Sequence, residues 1–407
     1  MSGFSTRAVR ASSRAPRVDQ VPTAVPVYLS ATFSADDAET LGDVLTETVP
    51  GYAYSRIDNP TVAALAAAVA ELEGAAAGFA FATGMAAIHA ALVALVSSGD
   101  RVVASTAVYG STRALLTDVL ARFGVETEFV DVTDHEAVAS ALGASPTRVL
   151  YAETISNPTI VVADHVALAG LAHRAGALYV VDNTFASPYL CRPLEHGADL
   201  VVESGTKFLS GHSDALAGIV SGDPERIAAV RAINVDVGGS LSPLAAFLVL
   251  RGLATLAVRM DRHAASTAAI AGWLERQDGV RRVWHPSLAS HPQHDLAERQ
   301  LRSGGGILAV DLAGGRAAGG AFIDALSIPP RTASLGSVHT MVVHPASTTH
   351  RQLDDPALER SGIGPGLLRI SVGLEDVDDL RADFERGLVA ARAAAREVAQ
   401  PATASAG

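Results

Sequence analysis

Val201-Val202-Glu203-Ser204-Gly205-Thr206-Lys207-Phe208 joins a short β-branched run to a cluster of small hydroxylated residues and ends at the only lysine in the 407-residue chain. An amine on a flexible stem forms a Schiff base with an aldehyde cofactor. Flanking hydroxyls such as those of Ser204 and Thr206 can hold that cofactor's phosphate. A lysine taken alone is usually a solvated surface residue. The sequence around Lys207 therefore has to decide between the two.

Outward from this stretch, the chain alternates helix and strand. Asn59-Pro60 is an N-cap followed by a proline at the first helical position, and Gly74 ends that helix. A helix is predicted over about 85–97, a strand over 101–105, a helix over 111–123 and a strand over 125–130. A short helix follows, then strand 148–153, helix 164–175 and strands 177–182 and 199–203. Apolar β-branched runs separated by helices indicate a parallel sheet covered on both faces. Ligands in such sheets bind outside the carboxyl ends of the strands, where Glu153, Asp182 and Ser204 fall.

Beyond about residue 245 the pattern changes. A long helix is predicted over 244–275 with an interruption near Gly252, followed by strands at 280–284, 306–312, 341–344 and 368–372. A helix over 377–398 closes the pattern, and Ala313–Gly320 reads as a Gly/Ala loop. The predicted division is an N-terminal arm (1–58), an α/β domain (59–245), a smaller α+β domain (246–400) and a frayed tail (401–407).

Composition excludes several classes. A formal charge of −12 argues against a nucleic-acid binder. Cys191 is the only cysteine, so no intrachain disulfide can form. No apolar run reaches the ~18 residues of a membrane helix. Arg7, Arg10, Arg14 and Arg17 precede the first acid, Asp19, as in some transit peptides. Pro16 and the absence of an amphipathic period favour a flexible arm, and the expected setting is cytoplasmic. His285, His291 and His294 match no zinc spacing, and no metal site is expected.

Asp182 ends the run Leu178-Tyr179-Val180-Val181. A carboxylate there suits the ring nitrogen of a pyridine cofactor, although a turn-capping Asp would look the same. Thr83-Gly84-Met85 opens a helix whose free N–H groups suit an anion. Tyr109 follows a strand and could lay its ring on a cofactor face.

These residues carry a resemblance. GYAYSRIDNPT (51–61) is similar to the GYxYSRxxNPT motif of the pyridoxal-phosphate enzymes of cysteine and methionine metabolism. That family includes cystathionine γ-synthases and lyases, methionine γ-lyases and O-acylhomoserine sulfhydrylases. ATGMAAI (82–88), VYGSTR (108–113), ETISNPT (153–159), VVDNTFASPYL (180–190) and GADLVVESGTK (197–207) follow in family order. SLGSVHT (334–340), HPASTTH (344–350) and LLRISVGLED (367–376) complete a match over nearly the whole chain.

The resemblance implies an aspartate aminotransferase-like fold (fold type I) and pyridoxal 5'-phosphate as cofactor. Lys207 would form the Schiff base and shuttle protons, Asp182 would pair with the ring nitrogen, and Tyr109 would stack on the ring. Gly84, Met85, Ser204 and Thr206 would hold the phosphate, with Tyr54 and Arg56 reaching the phosphate of a neighbouring subunit. Asn157, Ser334 and Arg369 would hold the substrate α-carboxylate. A homotetramer built from two such dimers is implied.

Three positions depart from the family pattern. His339 stands where cystathionine-handling members carry a Glu, and Ser111 where methionine γ-lyases carry a Cys. Both favour γ-replacement on an O-acylhomoserine by sulfide, cysteine or another thiol, with γ-elimination as the alternative. Glu203 replaces a more common His, and strand alternation predicts that it points away from the phosphate. A non-catalytic regulator retaining the pocket is the remaining possibility. It has little use for the full set of Lys207, Asp182, Tyr109, Asn157 and Arg369.

Overall fold

The computed structural model describes residues 21–348 and 362–399. The first 20 residues of the expected arm, Thr349 and His350 of the HPASTTH run, and the 401–407 tail lie outside the described residues.

Seven strands form the larger sheet: β1 (Ala77–Phe81), β2 (Arg101–Ser105), β3 (Glu126–Val130), β4 (Val149–Glu153), β5 (Leu178–Asp182), β6 (Leu200–Glu203) and β7 (Gly218–Gly222). Their order is β1-β7-β6-β5-β4-β2-β3. Only β7 runs antiparallel to its neighbours, and the other pairings are parallel. Alternation divides the side chains between two cores. Val149, Tyr151, Val180 and Val202 pack on the face that carries the helix Gly84–Leu95. Leu150, Tyr179, Val181 and Val201 pack on the other. With both faces covered, these strands have no polar side, which explains their continuous apolar character.

The smaller sheet comprises β8 (Val280–Trp284), β9 (Ile307–Leu312), β10 (Met341–Val343) and β11 (Leu367–Ser371) in the order β10-β11-β9-β8. All its pairings are antiparallel. The helix Val377–Ala399 packs with Gly315–Ala325 beside it, and Phe322 and Phe384 are fully buried.

Local signals explain several elements. Asn59 caps Pro60–Glu73 by accepting from the Thr61 N–H at 3.0 Å, and Gly74 closes it at φ 72°. The same helix start anchors the preceding arm: the Thr61 hydroxyl donates to the Pro26 carbonyl (2.8 Å), and Asn59 Nδ2 donates to Tyr28 O (2.9 Å). The break expected near Gly252 separates helices Pro243–Leu253 and Leu256–Leu274, bent by 63°. Among the described residues no single helix is long and apolar enough to cross a membrane.

The structure corrects the reading of 313–320 as a loop, because Gly315–Ala325 is a helix. Its glycines are weak helix formers, but they permit close packing. A Cβ on Gly319 would lie 2.4 Å from His344 Nε2, and one on Gly314 would lie 2.4 Å from Ala395 Cβ. The predicted helix over 111–123 is instead an α-turn (Gly110–Ala114), a π-turn (Leu115–Val119) and a 3₁₀-turn (Leu120–Phe123).

Candidate active site

The parallel register sets Glu153 directly beside Asp182 at the ends of β4 and β5, so both carboxyls face the same side of the sheet. A cavity of about 270 Å³ opens above them, lined by Tyr109, Asn157, Lys207 and Arg369 among others. Asp182 accepts from the Thr184 N–H (3.0 Å), and the Tyr151 hydroxyl lies 3.5 Å from its other oxygen. Burial raises its carboxyl above the usual range, while hydrogen bonds from Thr184 oppose the shift. An adjacent cation would therefore be strongly favoured.

Thr83 caps the helix Gly84–Leu95, with its hydroxyl accepting from the Ala86 N–H at 3.1 Å. The N–H groups of Gly84 and Met85, at the first helical positions, have no intrahelical acceptor. They point the positive end of the helix at the cavity. Gly84 is required by its surroundings: a Cβ there would lie 2.9 Å from Ser204 Cβ and 3.0 Å from its Oγ. The Ser204 N–H donates to Thr184 Oγ1 (2.8 Å). The Thr206 hydroxyl is engaged with Ala217, accepting from its N–H (3.1 Å) and donating to its carbonyl (3.3 Å).

Lys207 projects into the cavity, and its Nζ donates to Ser334 Oγ at 2.9 Å. Burial, with a smaller contribution from Arg369, lowers its ammonium from 10.5 to about 8. Arg369, on β11, donates from Nη1 to Asn157 Oδ1 (2.9 Å) and from Nη2 to the Ser334 carbonyl (2.7 Å). Its buried Nε has no partner among the described residues. The fork thus connects the two sheets at the cavity wall. Burial lowers its guanidinium to about 10, which leaves it cationic at neutral pH.

Tyr109 overlooks the cavity with its ring 41% exposed. Its N–H donates to Glu153 Oε1 (2.5 Å), while the Asn157 N–H donates to Glu153 Oε2 (3.0 Å). One buried carboxyl therefore ties the Tyr109 loop to the Asn157 loop. The sequence reading placed Glu153 at a strand end but assigned it no such task. It also overlooked Arg259, a buried residue whose Nη1 donates to the Phe208 carbonyl (2.7 Å) and whose Nη2 donates to the Gly252 carbonyl (2.7 Å). Arg259 thereby braces the turn that carries Lys207. Its position three residues into a helix after the Gly252 break offered no signal for this contact.

The remaining expected residues lie elsewhere. Tyr54 and Arg56 do not line this cavity. Tyr54 is exposed, and the Arg56 guanidinium sits 5.5 Å from its ring while donating to the Val235 carbonyl. His339 lines an adjoining cleft with Asp214, Thr332 and Met341, a cleft that shares Thr206, Leu216 and Ser334 with the main cavity. Ser111 is exposed just beyond Tyr109 and does not line the cavity. Glu203 sits on the opposite face of the sheet from Asp182, buried against Glu73. His285 and His291 are buried, with ring nitrogens on the carbonyls of Gly305 (3.2 Å) and Ile160 (3.0 Å).

The description of the family whose model matches residues 5–389 is Cys/Met metabolism PLP-dependent enzyme. The chain is 41% identical over 389 residues to the O-succinylhomoserine sulfhydrylase of Pseudomonas aeruginosa, covering 96% of each protein. It is 43% identical over 392 residues to the L-methionine gamma-lyase of Pseudomonas putida, covering 96% of this chain and 98% of that protein. Among solved structures, the cystathionine gamma synthase of Xanthomonas oryzae pv. oryzae in complex with aminoacrylate and cysteine superposes with a TM-score of 0.85. Its sequence identity is 39%, over 91% of this chain and 93% of that one.

The cavity suits pyridoxal 5'-phosphate, a dianionic phosphate on a cationic ring. Gly84 leaves room where a Cβ would crowd Ser204. Free helix-start N–H groups, a buried carboxyl and the Lys207 amine line a single space.

Proposed function

The chain belongs to the Cys/Met metabolism PLP-dependent enzymes, fold type I, and on that premise we propose that it catalyses γ-replacement on an O-acylhomoserine, with sulfide, cysteine or another thiol as nucleophile. Pyridoxal 5'-phosphate is its cofactor, supplying an aldehyde for the substrate amine and an electron-withdrawing ring to absorb carbanion charge.

Gly84, Met85, Ser204 and Thr206 would hold the phosphate, Tyr109 would cover the ring, and Asp182 would keep the proton on the ring nitrogen. Arg369 grips the substrate α-carboxylate as a fork, with Asn157 and Ser334 fixing its orientation. Lys207, with an ammonium lowered to about 8, holds the neutral amine at a useful fraction near neutral pH. It takes the proton from the substrate α-carbon and later moves one at the β-carbon, so that the γ-substituent departs. Tyr54 and Arg56, which lie away from this chain's own cavity, complete the phosphate site of a second copy. The working unit is then at least a dimer and, by analogy with the family, a tetramer. On the same reading the setting is cytoplasmic, residues 1–58 form an intersubunit arm, 59–245 the cofactor domain and 246–400 the smaller domain.

The observation that carries replacement over elimination is the cleft adjoining the cavity at Thr206, Leu216 and Ser334. It gives a second reactant a way to the γ-carbon, and its wall carries His339, beside Asp214, at the position where cystathionine-handling members carry a Glu. The exposed Ser111, in place of the cysteine of methionine γ-lyases, points the same way. Elimination to a 2-oxo acid and ammonia is the second reading, favoured by the 43% identity to a methionine gamma-lyase. Incubation with O-acetylhomoserine, O-succinylhomoserine, cystathionine or methionine, each with and without sulfide or a thiol, separates the two. Thiol-dependent consumption of an O-acylhomoserine supports replacement, and rapid 2-oxobutanoate from methionine alone refutes it.

A further inference from the structure

On the face of the sheet opposite the cavity, Glu73 and Glu203 meet with their side chains 0% and 2% exposed as residues. Among the described residues, both Glu203 oxygens and Glu73 Oε2 lack any conventional donor. Two buried carboxylates in contact repel each other strongly, so such a pair persists only if it retains a proton.

The surrounding hydrogen bonds fix where that proton lies. Asn183 Nδ2 donates to Glu73 Oε1 (2.8 Å) and to the Cys191 carbonyl (2.9 Å). The Thr154 hydroxyl donates to Asn183 Oδ1 (2.7 Å), so it must accept from His165 Nε2 (3.1 Å). His165 Nδ1 then accepts from the Tyr179 hydroxyl (2.8 Å). His165 stays neutral, because burial lowers its imidazolium to about 3. Every donor in the chain Tyr179, His165, Thr154, Asn183 thus points toward Glu73. The remaining oxygen of Glu73 faces Glu203; burial raises both carboxyls, and their mutual contact partly offsets the rise at Glu73 and adds to it at Glu203.

We infer that Glu203 is a neutral carboxylic acid donating to Glu73, and that this pair ends a one-directional buried chain that positions Asp182 through its neighbour Asn183. The functional half of this inference rests on the reading of Asp182 as partner of the ring nitrogen. Glu203 is a positioning residue: it lies on the far face of the sheet and touches neither cofactor nor substrate. The charged and titratable groups around the pair are Arg192 and Glu195 beside Glu73, the buried Cys191 thiol, and Asp182 beside Glu203. Of these only Arg192 is cationic, so the pair loses its proton at a pH above that of an ordinary carboxyl.

Infrared difference spectroscopy of the apoprotein tests the acid directly. A protonated-carboxyl carbonyl band is expected in the wild-type minus Glu203→Gln difference at neutral pH, apart from any band of the buried Glu153 and Asp182, and it should bleach as pH is raised. The absence of that difference band overturns the assignment whatever the role of Asp182. Cofactor titration then tests the positioning. Glu203→Gln, whose amide donates to Glu73 in place of the acid, should keep its affinity within about threefold and should not show the fall in cofactor affinity expected of the wild type as the pair loses its proton. Glu203→Met, a near-isostere without a donor, should weaken cofactor binding by about tenfold or more. If Glu203→Met binds as the wild type does, positioning is refuted. If Asp182→Ala instead leaves the cofactor spectrum unchanged, the ring-nitrogen reading has failed while the infrared result stands.

Discussion

Arg369→Lys isolates what the fork does. The guanidinium spends Nη1 on Asn157 Oδ1 at 2.9 Å and Nη2 on the Ser334 carbonyl at 2.7 Å. These two bonds fix its plane at the cavity wall, where on the proposed reading it would meet the substrate carboxylate with two parallel N–H bonds. A lysine keeps the charge but presents a single tetrahedral head, so it cannot hold both anchors and still grip both oxygens. Losing one charge-assisted hydrogen bond costs about 1.5–3 kcal/mol. At 1.4 kcal/mol per decade, that is roughly a 10- to 150-fold rise in KM. The cofactor should be untouched, since Arg369 serves the substrate side of Lys207. The assay measures kcat and KM for the preferred O-acylhomoserine, alongside the visible absorbance of the bound cofactor and the thermal midpoint. The reasoning is refuted if KM stays within threefold of wild type, or if Arg369→Lys sheds cofactor while substrate affinity is retained.

Three further outcomes are expected. Gly84→Ala places a Cβ 2.9 Å from Ser204 Cβ, an overpacking cost of about 1–3 kcal/mol; titrating apoprotein with cofactor should show roughly 5- to 150-fold weaker binding. Because Lys207 is lowered from 10.5 to about 8, its neutral, nucleophilic fraction grows as pH rises toward and through 8. Cofactor capture by the apoprotein, followed by reductive trapping, should rise with a midpoint near there and be absent in Lys207→Ala, and a midpoint near 10 would mean the amine is not desolvated. Ser111→Cys should raise 2-oxobutanoate release from methionine and His339→Glu should raise turnover of cystathionine; unchanged product ratios in both would remove these positions from the specificity argument.

The legible part of the fold was the part with clean period and punctuation. Asn59-Pro60 and Gly74 bound a helix at the positions expected, and β2 spans the same residues, Arg101–Ser105, as its sequence run. What escaped was built on glycine and alanine. β1 and β7 were not read as strands: Ala77–Phe81 has no β-branched residue, and the Ile219-Val220 pair of β7 is a short run closed in by Gly218 and Gly222. Gly218 is nonetheless forced: a Cβ there would lie 2.2 Å from the Thr83 carbonyl that begins the cofactor-side helix. The same logic hid Gly315–Ala325, where packing rather than propensity makes the helix. In the site, Lys207, Asp182 and Asn157 were readable because strand ends and short motifs announce them. The bracing by Glu153 and Arg259 was not readable, since it depends on backbone atoms distant in sequence, Tyr109 N–H 44 positions from Glu153 and the Phe208 carbonyl 51 positions from Arg259. Glu203 stood out only as a departure from pattern, and its meaning required Glu73, 130 positions earlier.

The account rests on replacement at the γ-carbon, and product partition tests it most directly. Purified enzyme loaded with cofactor is given an O-acylhomoserine at saturating concentration, and sulfide is titrated in while homocysteine and 2-oxobutanoate are quantified together. The account predicts that homocysteine becomes the dominant product as sulfide rises and that 2-oxobutanoate is correspondingly suppressed. Release of 2-oxobutanoate at a rate indifferent to sulfide and, in a parallel titration, to cysteine, with neither homocysteine nor cystathionine formed, would contradict it.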